Sequence, residues 1–154
     1  MRARINNLNN DYTVSIWFWN GMPDGARDIA GWMFSRDRDH AISPDGDHLG
    51  LNGANQLVFQ HGSAAPAKGA SSVARWSWNH ALLVREGGRV RVYLNGADKP
   101  EIDLQASANF PAAFHQVFIG GRSDSSDNWE GRLDEVAIYS RALSPQEANS
   151  LSRR

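Results

Sequence analysis

Residues 131–151 read GRLDEVAIYSRALSPQEANSL, and two structural patterns meet in this stretch. The run Arg132–Tyr139 has strand character, and alternation along it places Asp134 on the face of Val136 and Ile138, the side expected to be buried. A helix signature follows. Ser144 is suited to cap the helix N-terminus, Pro145 sits at the first helical position, and Glu147 stands three residues beyond the cap. That spacing is a capping box, and it predicts a short helix through Ala148–Leu151.

Upstream, short strand-like runs recur, each ended by turn residues, as in a sandwich or barrel. Tyr12–Trp19 opens the series, with Val14, Ile16 and Phe18 on one face and Thr13, Ser15, Trp17 and Trp19 on the other. Runs at 32–35, 48–51 and 56–60 follow, the last two joined by the turn sequence NGAN at 52–55. Residues 62–72, GSAAPAKGASS, are small and predict an exposed loop. The clearest hairpin pairs 78–84 with 89–94 across REGG, whose Gly87 and Gly88 supply positive φ. In its second arm Val90, Val92 and Leu94 face in while Arg91 and Tyr93 face out. Strands at 101–105 and 117–119 complete the set. No long helix and no internal repeat is present, so the expected class is all-β, with one domain over 1–154.

Composition narrows the function classes. The 154 residues carry a formal net charge of −1, which gives no field to select nucleic acid. Apolar stretches are only a few residues long, so no membrane insertion is expected. The run behind Met1-Arg2-Ala3-Arg4 is polar, so no signal peptide is expected in this chain. There is no cysteine, hence no disulfide and no thiol chemistry. The six tryptophans suit both a sandwich core and flat platforms for sugar stacking.

Residues 131–151, together with YTVSIWFW near the start, WNHALLVREGGRVRVYLNG in the middle and VFIGG before the closing strand, resemble laminin G-like, concanavalin A-like lectin/glucanase domains. The resemblance covers roughly 12–152. It implies a two-sheet antiparallel jelly-roll sandwich with a short C-terminal helix, and non-catalytic recognition, chiefly of carbohydrate or a surface glycan. It further implies a module of a larger extracellular or cell-surface protein. The other readings left open are a structural or protein-binding module and, more remotely, a glucanase.

The glucanase reading rests on PEIDLQ at 100–105, which is similar to a Glu-Ile-Asp-x-Glu signature. Alternation puts Glu101, Asp103 and Gln105 on one face, as a retaining glycosidase requires of its carboxylates. The last position is Gln, which cannot donate the proton a leaving group needs. The resemblance also implies Ca²⁺, which takes about six to eight oxygens. Asp134 is the candidate ligand, with Asn10 and Asp11 beside it if the chain ends meet. Rim ligand-binding candidates are Asp45 and Asp47 in one loop, and Asp124, Asp127 and Asn128 in another. Trp32, Trp76 and Trp129 are the stacking candidates, whereas Trp78 is expected in the core with His80 as a structural histidine. His40, His48, His61, His80 and His115 show no metal-ligand spacing.

Overall fold

The computed structural model describes residues 1–110, 114 and 116–153. In chain order the elements are β1 (Arg2–Arg4), β2 (Tyr12–Asn20), β3 (Ile29–Arg36), β4 (Asp47–Asn52), β5 (Gln56–His61) and β6 (Ala67–Ser72). There follow β7 (Trp78–Glu86), β8 (Arg89–Leu94), β9 (Ile102–Gln105), β10 (Gln116–Ile119), β11 (Gly131–Tyr139) and the helix α1 (Pro145–Leu151). The strands form two antiparallel sheets. One has six strands in the order β1-β10-β3-β4-β5-β6, the other five in the order β11-β2-β7-β8-β9. This is the two-sheet antiparallel sandwich that the family resemblance implies, and it decides between the sandwich and the barrel that turn spacing left open.

Tyr12, Val14, Ile16 and Phe18 of β2 point between the sheets, as do Ala81 and Leu83 of β7 and Val90 and Val92 of β8. Opposite them Phe34, Leu49, Leu51, Leu57 and Phe59 close the core, all with at most 1% of their surface exposed. The β7–β8 hairpin is closed by the pair Glu86 and Arg89, with Gly87 and Gly88 at φ 57° and 79°. Two central residues in the left-handed region make the mirror-image turn that matches strand twist. At the C-terminus the Ser144 hydroxyl accepts from the Glu147 backbone N–H, and Glu147 Oε2 accepts from the Ser144 N–H. Hydrogen bonds from Arg141, then from the Ser144 backbone, hold the Glu147 carboxyl down to about 2.

Two elements escape the sequence pattern. Residues 67–72 are not loop but the edge strand β6, paired with β5. Its residues are too small for an apolar stripe, and its second edge is satisfied by a side chain. Glu101 Oε2 accepts from the Ala70 and Ser71 N–H groups at 2.9 and 2.8 Å, while Oε1 accepts from the Ser71 hydroxyl. Glu101 precedes β9, so this carboxylate joins the free edges of the two sheets. The second is β1, whose three residues pair with β10.

Asp47 is not a rim residue. It is fully buried at the start of β4, and its carboxylate accepts from Arg85 Nε and Nη2 of β7 at 2.7 and 2.6 Å. The Tyr12 hydroxyl donates to Oδ2 at 2.6 Å, and His61 Nδ1 lies 2.8 Å from Oδ1. Burial pushes the Asp47 carboxyl up, but the His61, Arg85 and Tyr12 bonds outweigh it and hold it below the ordinary range. Arg85 Nη1 donates to the Ala106 carbonyl, so the guanidinium is satisfied on every side. Removing one member strands a buried charge. Arg85→Met is expected to cost about 3–5 kcal/mol of unfolding free energy, measured by denaturant titration, because the uncompensated carboxylate loses its counterion.

Candidate functional site

The inward parity of β2 and β7 sends their other side chains to the outer face of the five-stranded sheet. At one end of that face the register sets Trp19 of β2 opposite Trp78 of β7 and opposite Arg132 of β11. Trp76, just before β7, completes the group, its ring 5.1 Å from that of Trp19 at an interplanar angle of 70°. Trp76 is 60% exposed and Trp78 36%, and both stand out among the large hydrophobics for their exposure. Two guanidiniums frame the rings: Arg132 lies 5.2 Å over Trp19 and Arg75 lies 4.8 Å over Trp76. One row along the strands, the buried ring of Trp17 packs 5.2 Å from that of His80.

The backbone at Trp76 is in the left-handed region, φ 61°. An aromatic residue pays for that conformation with Cβ–carbonyl crowding, of order 1–2 kcal/mol. The Trp76 N–H donates to the Asn20 carbonyl at 3.3 Å, tying the turn to the end of β2. A strained backbone thus holds a large ring in solvent, where it recovers little burial.

The sequence-predicted residues divide sharply. Trp76 is exposed as expected. Trp32 is not a platform: it is 1% exposed, because residues 122–128 fold across it. Its backbone N–H donates to the Asp127 carbonyl at 2.9 Å, and the Arg122 guanidinium lies 5.2 Å over its ring. Trp129 is half-buried, edge-on to Phe18 at 5.9 Å, and packs against the core. Trp78, expected inside, points outward; Leu82 and Val84 of the same parity are buried only because the C-terminal segment covers them.

Of the acidic rim residues, Asp124 is committed. Asp124 is forked by Arg122 at 2.9 Å through both nitrogens, and Arg122 Nη1 also reaches Gln60. Burial raises the Asp124 carboxyl, but Arg122 and the Ser126 N–H bring it below its ordinary value. The Asn128 carbonyl accepts from Arg27 Nη2. Asp45 sits half-buried in a turn closed by the Gly46 N–H on the Ser43 carbonyl. Asp127 holds its main chain at φ 44°.

The expected Ca²⁺ ligands are not brought together. Asp134 is exposed rather than buried, because a bulge interrupts β11 between Asp134 and Ala137, with Glu135 at φ 46°. The extra residue reverses the alternation, so Leu133, Val136 and Ile138 face the core. Asp134 pairs with Trp17, about 20 Å of strand from Asp11. Asn10 instead binds Asn109 and the Phe110 N–H, and Asp11 accepts from the Gly87 N–H. These residues do not fit a shared cation, and among the described residues no three His, Cys, Asp or Glu side chains are grouped for a metal ion. His115 lies outside the described residues. Among the described residues no helix is long and apolar enough to cross a membrane.

Two face-packed antiparallel sheets with an aromatic group on the outer surface define a β-sandwich of the lectin-like type. The chain belongs to the concanavalin A-like lectin/glucanase superfamily, whose laminin G family model matches residues 2–149. Among solved structures it is similar to the carbohydrate-binding module CBM40 of the Ruminococcus gnavus IT-sialidase. There the TM-score is 0.73 at 14% identity, over 96% of this chain and 85% of that one. It is similar as well to the heptameric SAP-like pentraxin of Limulus polyphemus, with TM-score 0.69, 18% identity, and 94% and 70% covered. A third is domain 4 of the Geobacillus stearothermophilus arabinanase AbnA, solved with arabinotriose: TM-score 0.61, 22% identity, 94% and 67% covered. At these identities the likeness establishes the fold.

Two buried histidines on the outer sheet faces are expected to make the fold acid-sensitive. His80 lies one row along β7 from the platform, its Nε2 2.8 Å from the Ser15 hydroxyl, and burial lowers it to about 4. His48 is fully buried beside Trp32, and burial lowers it to about 4 against the opposing pull of Asp47. A depressed histidine binds fewer protons folded than unfolded. Its stabilisation is therefore complete above the unfolded value of 6.5 and is lost as pH falls from there towards 4. Unfolding free energy is expected to be flat above pH 7 and to fall between pH 6.5 and 4, by up to about 1.4 kcal/mol per pH unit per histidine. Denaturant titrations across that range check it, and His80→Asn is expected to remove part of the slope.

Proposed function

We propose that this domain is a carbohydrate-recognition module which grips glycan on the Trp19–Trp76–Trp78 platform, with Arg75 and Arg132 as flanking hydrogen-bond donors. The observation that carries this reading is Trp76 itself, an exposed ring kept on a strained backbone beside two further rings. Strain held at an exposed aromatic is the signature of a positioned contact residue. Sugar rings present C–H faces that stack on indoles and hydroxyls that suit guanidinium forks. Two similar structures support the ligand class, one described as a carbohydrate-binding module and one solved with arabinotriose. The parent of the second is described as extracellular, which agrees with a module of a secreted or surface protein.

The domain acts by binding alone. A glycosidase needs one carboxyl held above its usual range to serve as acid. Partial burial raises Glu101, but the Ser71 and Ala70 donors bring it below the ordinary value. Asp103 is drawn down by the Arg89 fork. Binding proceeds without Ca²⁺: Asp24 pairs with Arg75 at 3.5 Å, and among the described residues no three His, Cys, Asp or Glu side chains are grouped for a metal ion.

Calorimetric titration with arabinotriose and 3′-sialyllactose, then a glycan array, tests the reading. Trp76→Asn is expected to weaken any glycan found by at least about tenfold, near 1.4 kcal/mol. The thermal midpoint is expected to hold or rise, because Asn adopts positive φ more readily than an aromatic. Chelator is expected to leave the affinity unchanged. An array blank in all conditions, or an affinity indifferent to Trp76→Asn, overturns the proposal.

A further inference from the structure

A cavity lies on the same sheet face, apart from the tryptophans. The segment after β11 crosses back over β7 and β8, anchored where the Thr13 hydroxyl donates to the Arg141 carbonyl and accepts from the Leu143 N–H, both at 3.0 Å. The helix α1 that follows buries none of its side chains. It stands off the sheet and leaves a cavity of about 530 Å³. Leu82 and Val84 form the apolar floor, Leu143 and Ala148 line the covering segment, and Tyr93 contributes an aromatic wall.

The cavity is separated from the platform. At its His80 end the 95–98 turn packs against the end of α1 so closely that a Cβ on Gly96 would lie 2.9 Å from Ser152 Cβ. Gly96 has φ 72° and is the residue that permits this approach. Glu86 and Arg91 stand together farther along the groove. Arg91 Nη2 meets Glu86 Oε2 at 2.5 Å, while Arg91 Nε is buried without a hydrogen-bond partner. Arg141, also lining the cavity, is already forked to Glu147 at 2.9 and 2.6 Å. His80 Nε2 is engaged with Ser15.

We propose that this cavity binds a small carboxylate with a compact apolar body. Its volume falls in the range of small-molecule sites, about 300–1,000 Å³, and is too small for a folded segment. The apolar body rests on Leu82, Val84 and Leu143. The charged end follows from Arg91: Nε–H and Nη2–H lie on one edge of the guanidinium, where a carboxylate accepts from both at once. Glu86 engages one of the two and is 59% exposed. The ligand's carboxylate takes both positions, and Glu86 turns into solvent at little cost. The site is independent of the platform and of what binds there.

The test is titration of the full chain with 8-anilinonaphthalene-1-sulfonate, an aromatic oxyanion whose fluorescence rises in apolar sites. One saturable site is expected, displaced by octanoate and not by octanol at about tenfold higher concentration. Arg91→Met is expected to weaken the probe and octanoate by at least about tenfold. Ala148→Trp, which fills the cavity, is expected to remove the saturable component, with circular dichroism and thermal midpoint checking that the fold is kept. Trp76→Asn is expected to leave the isotherm unchanged. Absence of saturable binding, equal displacement by octanol, an isotherm untouched by Arg91→Met, or a site lost in Trp76→Asn overturns the proposal. Should Ala148→Trp fail to fold, Arg91→Met and the octanol comparison decide alone.

Discussion

A single buried carboxylate sets the relation between the two sheets. Asp47 stands at the start of β4 in one sheet and is forked by Arg85 from β7 in the other, with Tyr12 of β2 and His61 of β5 completing its bonds. Four strands from both layers therefore converge on one charge. Hydrophobic contacts tolerate sliding; a bidentate fork does not. The Arg36 guanidinium acts similarly nearby, donating to the carbonyls of Leu8, Asn9 and Phe114 and lying 3.8 Å from the Phe110 ring. The cluster is costly to desolvate, and its return is in geometry. With the sheets held in one registration, each outer face becomes a fixed surface.

The two outer faces are used differently. On the six-stranded sheet, residues 122–128 close over Trp32, and Arg122 ties that loop to Gln60, Asp124 and Ser126. On the five-stranded sheet the C-terminal segment covers the Leu82–Val84 end and stops short of the Trp19–Trp78 end. The same nine-residue strand β7 thus carries buried apolar residues on both faces in its middle and an exposed indole at its beginning. The polar cavity mouth at Arg91 and the aromatic platform at Trp76 are products of one arrangement, a cover that reaches only part of the sheet. The acids of PEIDLQ serve the frame, with Glu101 joining the sheet edges and Asp103 paired to Arg89 across β8 and β9.

Local chemistry was legible in the sequence wherever it was decided locally. The Gly87–Gly88 turn, the Ser144 capping box and the alternation of β2 follow from neighbouring residues alone, and the structure has each of them. What depended on distant parts of the chain was not legible. Asp47 sits in a DGD triplet that has the character of a solvated turn, and its partner Arg85 lies 38 residues away. Trp32 is buried by a loop some ninety residues on. Trp78 shares parity with Leu82 and Val84, and nothing local tells that their common face is the outer one. Asp134 changed sides through one bulged residue, which alternation cannot register. Residues 67–72 lack the apolar stripe that marks a strand and pair by edge hydrogen bonds. For the site, Trp76 was legible from its place at the strand's beginning, while Trp19 and Trp78 became partners only through strand register.

The central claim is that glycan is read by the exposed tryptophan group at one end of the five-stranded sheet. The six indole N–H groups give separate signals in a ¹⁵N-correlated NMR spectrum, so one glycan titration reports on every tryptophan at once. The account predicts that the signals of Trp19, Trp76 and Trp78 move with saturating ligand, while that of Trp32, sealed under residues 122–128, stays in place. Shifts confined to Trp32 or Trp129, with the three platform signals unmoved, would contradict it.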